Sequence, residues 1–315
     1  MKTSIIIGAG GQDGTLLSRF LACRGDRVIC VDLHRTWQLP AEDWGVVDIL
    51  RPESVLALLQ KTRADECYYL AAFHHPAEDK TLRSGDLELF EHSHAIHVRG
   101  LLHFLSAIAQ SSPQTRLFYA ASSHVFGSPV TEPQDENTPL NPGSIYGITK
   151  TTGIHCCRHF RDESGVFAAA GILYNHESHL RPPRFLSQKI VRGVLEFQRD
   201  QSKKLELGDL NAVVDWGCAS DYVEAMAGIL AHPRPEDFVV ATGEPRTVGE
   251  FLRIACEIAG VDPQECVVAN PGLLRKKPVR LIGNSEKLRR LTGWRPKISF
   301  YDMIAQMIEH AQKIF

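Results

Sequence analysis

A glycine-rich turn near the start of the chain constrains its fold most strongly. The apolar run at 4–7 is rich in β-branched residues and is typical of a central parallel strand. It leads into a turn with glycines at 8, 11 and 14, and then into a helix predicted over 16–24. Such a turn lets backbone N–H groups and a helix N-terminus approach a pyrophosphate without interference from Cβ atoms. The pattern predicts a dinucleotide-binding βαβ unit, with cofactor contacts at Gly8, Gly11, Gln12, Asp13 and Gly14.

The end of the second predicted strand indicates which dinucleotide is bound. This strand runs over 27–31 and is followed by Asp32, eighteen positions after Gly14. An acid there accepts hydrogen bonds from both ribose hydroxyls and repels a 2′-phosphate, which favours NAD over NADP. Arg35 lies close behind and keeps NADP open as the alternative.

Further cofactor contacts are predicted beyond this first unit. Asp48 follows an apolar stretch, and we expect it either to face the adenine edge or to cap the next helix. A strand predicted over 66–70 ends in Leu70 and is followed by Ala71 and Ala72. These small alanines would let the diphosphate and the nicotinamide ribose lie close to the backbone.

Strands and helices continue to alternate up to residue 174. A long helical segment is predicted over 87–110, and a strand over 116–121 ends in Ser122. This alternation predicts an α/β fold with a doubly wound parallel sheet of the Rossmann type. Since ligands bind at the carboxyl ends of the strands in such sheets, we expect Ser122 and Asp32 to share one edge.

The most chemically suggestive pair is Tyr146 and Lys150. Four positions apart on a helix predicted over 144–160, they fall on one helical face, where the ammonium is expected to lower the phenol pKa from about 10. That would make Tyr146 a general base for an alcohol. The pattern is short and is also common on surface helices, so it gains meaning only beside Ser122, which would hold the substrate oxygen.

The rhythm of the chain breaks after residue 174, where Pro- and Gly-containing segments replace strict alternation. We therefore predict a smaller, interleaved C-terminal substrate-binding lobe. Residues 1–174 form the NAD-binding domain, and 212–242 return to it. The lobe consists of 175–211 and 243–315.

Composition excludes several classes of function. The formal charge is −2, hydrophobic residues make up 43% of the chain, and no apolar run approaches the length needed to span a bilayer. We expect a cytoplasmic protein that binds neither nucleic acid nor membrane. The eight cysteines contain no C-x-x-C pair, and the clustered histidines have irregular spacing, so no metal site is predicted.

Long segments of the chain resemble the extended short-chain dehydrogenase/reductase superfamily, and within it the GDP-mannose 4,6-dehydratases. The matching segments are 11–14, 69–72, 144–150, 171–178, 215–226 and 235–244. The resemblance implies a GDP-sugar substrate that is oxidised at C4 by a tightly held cofactor, and a homodimer formed through helices 87–110 and 144–160. It implies that Lys150 also holds the nicotinamide ribose, and that the substrate site includes His74, Ser122, Ser123, Asn175, Leu186, Lys189, Arg275 and Arg280.

The chain differs from this family at residues that the resemblance places in the substrate-binding site. The dehydratases carry a glutamate two positions after the catalytic hydroxyl residue, where this chain has His124. His74 replaces a small serine, and Val213-Val214 replace a Lys-Arg pair. Each histidine also has a structural interpretation: His124 as a residue bonded to backbone, and His74 as a loop cap.

Loss of the glutamate favours a 4-dehydrogenase or an epimerase as the outcome. A neutral imidazole can also take a proton, so a 4,6-dehydratase with His124 as its base is the alternative. The alternative of a different class is a non-catalytic NAD(H)-binding regulatory protein. The intact set of Ser122, Tyr146 and Lys150 argues against that interpretation.

Overall fold

The computed structural model describes residues 1–33, 43–73, 85–270, 272 and 279–314, without the side chains of 43–46. Its strands are β1 (Thr3–Ile7), β2 (Arg27–Asp32), β3 (Asp43–Val46), β4 (Glu66–Tyr69), β5 (Arg116–Ser122), β6 (Ala168–Leu173), β7 (Asn175–Glu177), β8 (Leu205–Leu207), β9 (Val213–Cys218), β10 (Asp237–Val240), β11 (Pro245–Thr247) and β12 (Val267–Ala269).

The helices are α1 (Gln12–Cys23), α2 (Pro52–Thr62), α3 (Asp86–His94), α4 (Leu101–Ser111), α5 (Ile145–Ser164), α6 (Leu186–Arg199), α7 (Ala219–Ala231), α8 (Val248–Ala259), α9 (Pro263–Cys266), α10 (Glu286–Thr292) and α11 (Phe300–Ile314). A π-helical turn at Ala95–Gly100 joins α3 to α4, and a 3₁₀ turn at Ser123–Phe126 follows β5.

Among the described residues, seven parallel strands form one sheet in the order β3-β2-β1-β4-β5-β6-β10. Helices cover both faces, so the central strands are mainly apolar. One face packs against α2, α4 and α5, and the other against α1, α7 and α10. The predicted α/β Rossmann fold is confirmed.

A third apolar cluster lies away from this sheet. Helices α6, α8 and α11 enclose it together with strands of two small sheets, β7-β9-β11 and β8-β12. Trp216 belongs to this core, where its ring packs against Phe251 and Phe300. Within the described parts of the chain, no helix is long and apolar enough to cross a membrane.

Local sequence fixes where α5 begins. The Ser144 hydroxyl caps the helix by accepting a hydrogen bond from the Gly147 N–H at 3.1 Å. A Cβ at Gly147 would lie 2.6 Å from the backbone oxygen of His124. Glycine therefore lets the first turn of α5 pack directly on the 3₁₀ turn that follows β5, which brings the Tyr146 end of the helix to the end of that strand.

Candidate active site

The glycine turn forms a cradle that larger residues would fill. Gly8 has φ +86°, and a Cβ added there would lie 2.8 Å from the backbone of Ala71. A Cβ at Gly14 would lie 2.5 Å from the Gly8 oxygen. Gly11 is the N-cap of α1, a helix that begins at Gln12 and thus earlier than the sequence predicts. The turn, the helix N-terminus and the close backbone of Ala71 fit a dinucleotide.

Asp32 is oriented toward this cradle. Its carboxylate accepts hydrogen bonds from the Gly10 N–H at 2.8 Å and the Leu33 N–H at 2.7 Å. Arg35, the predicted alternative determinant, lies outside the described residues. Leu70 extends β4 against β1, its N–H donating to the Ile7 oxygen at 2.9 Å.

Asp48 does not cap the next helix. The N-cap of α2 is Arg51, which makes no side-chain cap bond, whereas Asp48 accepts a hydrogen bond from the Leu50 N–H at 2.9 Å. The capping interpretation is wrong because the helix begins later, at Pro52. The adenine contact of Asp48 stays a prediction.

A buried histidine ties the glycine turn to β7. His176 Nε2 lies 2.9 Å from Asp13 Oδ2, and its Nδ1 donates to the Tyr174 oxygen at 2.6 Å. Burial acts to lower the pKa of His176, but the Asp13 charge and hydrogen bond outweigh it and the pKa is raised. Burial likewise acts to raise the pKa of Asp13, while His176 and Arg181 lower it below its usual value. The pairing therefore favours the protonated form of His176 and the ionised form of Asp13.

Gln12 completes this link. Its amide nitrogen donates to the His176 oxygen at 3.0 Å, and its amide oxygen accepts from the Ser178 hydroxyl at 2.8 Å. Sequence reasoning singled out the segment around Asn175 but not the pairing of His176 with Asp13. That pairing joins residues 163 positions apart, so no local pattern signals it.

The predicted catalytic residues meet at the carboxyl end of β5. The hydroxyls of Ser122 and Tyr146 share a hydrogen bond. Lys150 is fully buried, and its ammonium donates to the Ala120 oxygen at 2.7 Å, 5.8 Å from the centre of the Tyr146 ring. The hydroxyl pair that could hold and deprotonate an alcohol is therefore assembled in the fold.

The predicted lowering of the Tyr146 pKa is wrong for this structure. Desolvation raises the pKa of Tyr146 to about 12, against opposing effects of Arg181 and of the Ser122 hydrogen bond. Burial lowers the pKa of Lys150 to about 7, so its ammonium is only partly charged at neutral pH. The sequence argument considered the two charges and not the loss of water around both groups.

Arg181 is the cation that sequence reasoning missed. Its guanidinium stacks over the Phe185 ring at 4.0 Å, and its Nε lies 3.3 Å from Glu177 Oε2. Its positive charge lowers the pKa values of both Tyr146 and Asp13. The arginine belongs to a segment with three arginines, at 181, 184 and 192, and the sequence offers no basis for choosing among them.

His124 lies beside Tyr146. The two rings meet edge to face, with centroids 5.7 Å apart. The residue is solvent-exposed, and partial desolvation of the ring lowers its pKa. The backbone N–H of His124 is 3.4 Å from the Ser122 hydroxyl. The imidazole is neutral at pH 7 and can accept a proton.

The remaining predicted substrate residues lie in several different elements. Ser123 is buried in the 3₁₀ turn, Asn175 begins β7, and Leu186 and Lys189 lie in the first turn of α6. Arg280 is paired with Glu132 at 2.7 Å. His74 and Arg275 lie outside the described residues. Within the described parts of the chain, no group of three His, Cys, Asp or Glu side chains could hold a metal ion.

Solved structures share this fold over the whole chain. The dTDP-glucose 4,6-dehydratase of Bacillus anthracis in complex with NAD is 18% identical, with 99% of this chain and 97% of that chain covered at a TM-score of 0.84. The RMD protein of Pseudomonas aeruginosa complexed with NADPH is 20% identical, with 100% of both chains covered at 0.83. Fold and site define a short-chain dehydrogenase/reductase of the epimerase and dehydratase superfamily.

Sequence comparison narrows this class to one family. The model of the GDP-mannose 4,6 dehydratase family matches residues 5–307. GDP-mannose 4,6 dehydratase 2 of Arabidopsis thaliana is 31% identical over 98% of this chain and 86% of its own length. Its namesake in Caenorhabditis elegans is 32% identical over 98% and 88%. The chain belongs to the GDP-mannose 4,6-dehydratase family and is an enzyme of the sugar-nucleotide dehydratase and epimerase type.

Proposed function

We propose that this enzyme uses NAD to oxidise the C4 hydroxyl of a GDP-linked hexose. The observation that carries the proposal is the hydrogen-bonded pair of Ser122 and Tyr146 at the carboxyl end of β5, with Lys150 buried one turn further along α5. The names of the relatives, which refer to GDP-mannose, support the nucleotide.

The side chains divide the work of the first step. The Ser122 hydroxyl holds the C4 oxygen, and the Tyr146 phenolate takes its proton. The hydride leaves C4 at the same time, so the C4 carbon becomes a ketone. When bound, the nicotinamide supplies the acceptor for this hydride. Arg181 favours the charged phenolate because its positive charge lowers the Tyr146 pKa.

The cofactor contacts follow from the cradle. Gly8, Gly11 and Gly14 leave room for the diphosphate at the N-terminus of α1, and Lys150 would reach the nicotinamide ribose. The Asp32 carboxylate would accept hydrogen bonds from the adenosine ribose and repel a 2′-phosphate, which favours NAD over NADP. The cofactor preference can be measured as the ratio of the dissociation constants for NAD and NADP.

A second part of the proposal concerns the reaction of the C4 ketone. The absence of the family glutamate favours a 4-dehydrogenase or an epimerase, whereas the presence of His124 beside Tyr146 favours dehydration. A neutral imidazole beside Tyr146 can take the C5 proton, which the C4 ketone acidifies. That proton passes to the C6 hydroxyl, which leaves as water. Delivery of the hydride taken from C4 to C6, and of a solvent proton to C5, then completes a 6-deoxy-4-keto sugar, and the proton taken by Tyr146 is released to solvent. A 4-dehydrogenase or an epimerase would not need this base.

The lobe is proposed to bind the nucleotide. In this arrangement 1–174 and 212–242 hold the cofactor, while 175–211 and 243–315 hold the guanosine diphosphate. Its contacts would be Asn175, Leu186 and Lys189 with the phosphate-binding Arg275 or Arg280, and His74 and Ser123 would face the sugar. A phosphate at Arg280 would compete with its partner Glu132.

A homodimer is proposed through helices 87–110 and 144–160. Large apolar side chains are exposed on these helices: Leu87 is 70% exposed, Phe90 39% and Ile148 42%. A second copy would cover them. Sedimentation of the wild-type protein and of an Ile148→Glu variant tests this, since the charged variant should shift toward monomer.

The oxidation can be tested by trapping the ketone. The protein is incubated with NAD and with GDP-mannose, UDP-glucose or dTDP-glucose in separate reactions, each quenched with borodeuteride and analysed by mass spectrometry. We expect deuterium at C4 with the GDP-sugar. If no GDP-sugar yields a C4 deuterium label, the proposed function is wrong.

A further inference from the structure

The buried His97 has one defined protonation state. It lies in the π-helical turn Ala95–Gly100 and is 0% exposed. Its Nε2 is 2.9 Å from the backbone N–H of Phe73, which can only donate, so Nε2 must accept. The proton of the neutral ring is therefore on Nδ1, which donates to the Thr149 hydroxyl at 2.8 Å.

The two hydrogen bonds of the His97 ring connect it to the cofactor cradle on one side and to helix α5 on the other. Phe73 ends the described segment after β4, in which Ala71 packs against Gly8 of the cofactor cradle. Thr149 precedes Lys150, and its hydroxyl lies 3.1 Å from the backbone oxygen of Tyr146. A continuous line of contacts thus connects the cradle with the catalytic helix.

His97 also touches the catalytic residue itself. Its ring meets the Tyr146 ring edge-on, with centroids 5.3 Å apart. The turn that carries it is held by Tyr69, whose hydroxyl donates to the Ile96 oxygen at 2.5 Å, and by Tyr119, whose hydroxyl lies 3.4 Å from the His97 oxygen. Widened turns of this kind occur frequently at functional sites.

We propose that His97 is a positioning residue that fixes the distance between the cofactor cradle and the Tyr146 hydroxyl. The proposal rests on the proposed function, in which hydride and proton leave the substrate together. Such coupling depends on geometry, and a shift of about 1 Å can cost about a hundredfold in rate. A histidine suits this position because one rigid ring accepts from Phe73 and donates to Thr149 at fixed separation.

Three substitutions separate the two bonds. His97→Asn keeps a donor near the Nδ1 position, His97→Gln keeps an acceptor near the Nε2 position, and His97→Phe keeps the ring volume and loses both. We expect kcat for ketone formation to fall about a hundredfold in His97→Phe and about tenfold in each amide variant, while KM for the sugar nucleotide changes less than about threefold. If the His97→Phe protein does not fold, the kcat values of the His97→Asn and His97→Gln proteins still test the positioning role.

The matched control is His232→Phe. His232 is buried at 8% exposure, and its Nδ1 bonds the Arg234 oxygen at 2.9 Å. It lies between α7 and β10, where its backbone oxygen accepts from Arg116 at the start of β5, the end of that strand opposite to Ser122. The melting temperature of the His232→Phe protein should fall as much as that of the His97→Phe protein. Its kcat for ketone formation should equal that of the wild type. If the His97 variants lose thermal stability but keep kcat within about threefold of wild type, the role is structural and the proposal is wrong.

A measurement without sugar keeps this test separate from the proposed function. Bound NADH fluoresces, and its emission reports the surroundings of the nicotinamide. We expect His97→Phe to change the emission intensity at saturating protein by about twofold or more, with His232→Phe unchanged. If the wild type makes no keto-sugar, the proposed function fails, and an unchanged emission in His97→Phe would overturn the positioning role independently.

Discussion

His97 and His124 both meet the Tyr146 ring edge-on, at centroid distances of 5.3 and 5.7 Å, yet their surroundings assign them opposite tasks. His97 is inaccessible to solvent, and both of its ring nitrogens are engaged by the protein. His124 is exposed, and desolvation lowers its pKa, which favours the neutral ring. Residue type and proximity to Tyr146 therefore do not define a role, and it is the surroundings of the ring that distinguish the two histidines.

The largest expected effect concerns the tyrosine that the two histidines share. Tyr146→Phe removes the proton acceptor and keeps the ring that both contact, so we expect ketone formation to fall about a thousandfold. Single-turnover formation of NADH in the presence of GDP-sugar measures it. Tyr301→Phe, an exposed tyrosine on α11, is the control. Equal rates for wild type and Tyr146→Phe would remove the tyrosine from the mechanism.

The second prediction tests whether His124 is the C5 base. In deuterated water, His124→Gln should lose about a hundredfold in the rate of deuterium incorporation at C5, with formation of the C4 ketone affected much less. His124→Glu, which restores the glutamate of the family, should regain exchange. Mass spectrometry of the sugar measures the label. If the wild-type product carries no deuterium at C5 or C6, the dehydratase alternative is excluded.

The pH dependence separates the two chemical steps. Because desolvation lowers the pKa of His124, its basic form persists as the pH falls, and C5 exchange should hold from pH 8 to about 6.5 and decline only below that. Because the pKa of Tyr146 is about 12, C4 oxidation should instead rise with pH across the neutral range. Rates at half-unit intervals check both directions. A loss of exchange already above pH 7 would contradict the assignment of His124.

The smallest expected effect concerns a third histidine, His176, whose partner Asp13 favours its protonated form. The pKa of His176 is raised by Asp13, so the folded state binds this proton more tightly than the unfolded chain. Its stabilisation is complete below the unfolded pKa of about 6.5 and is lost as the pH rises through the raised value. We expect His176→Gln to cost about 1 kcal/mol more at pH 5.5 than at pH 9.

Urea unfolding of both proteins at these two pH values measures the difference. The opposing contribution of Asp13, whose pKa is lowered, is lost only as the pH falls below about 3.8 and therefore lies outside this window. A cost that does not vary with pH would mean that His176 is neutral in the folded protein.

Local sequence was sufficient for the strands and helices of the large sheet and for the glycine turn after β1. Gly8 and Gly14 predict their own turn because glycine is required where a Cβ would meet backbone at 2.5–2.8 Å. Alternation of strands with helices predicts the parallel sheet, since only helical crossovers can connect such strands. The spacing of Tyr146 and Lys150 places both on α5, and the length of β5 places Ser122 at its end.

His97 shows where local reasoning stopped. The close spacing of the histidines at 92, 94 and 97 suggests a cluster of possible metal ligands. His97, however, continues the buried helical face formed by Leu101, Leu105 and Ile108. Helical periodicity could have marked it as a buried residue. Its partners could not have been found, because Phe73 and Thr149 are 24 and 52 positions away.

The sequence by itself determined the class of fold, the glycine turn after β1, and the placement of Ser122 at the end of β5 and Tyr146 at the start of α5, because each depends on residue type within a few positions. Only the tertiary structure decided in which direction the pKa values of the titratable side chains shift. Burial raised the pKa of Tyr146 and lowered that of Lys150, reversing the expectation from their spacing, while Asp13 raised the pKa of His176 and desolvation lowered that of His124. Desolvation and the identity of long-range partners depend on tertiary packing. Packing brings together residues that are distant in the sequence, so no local segment of the chain predicts it.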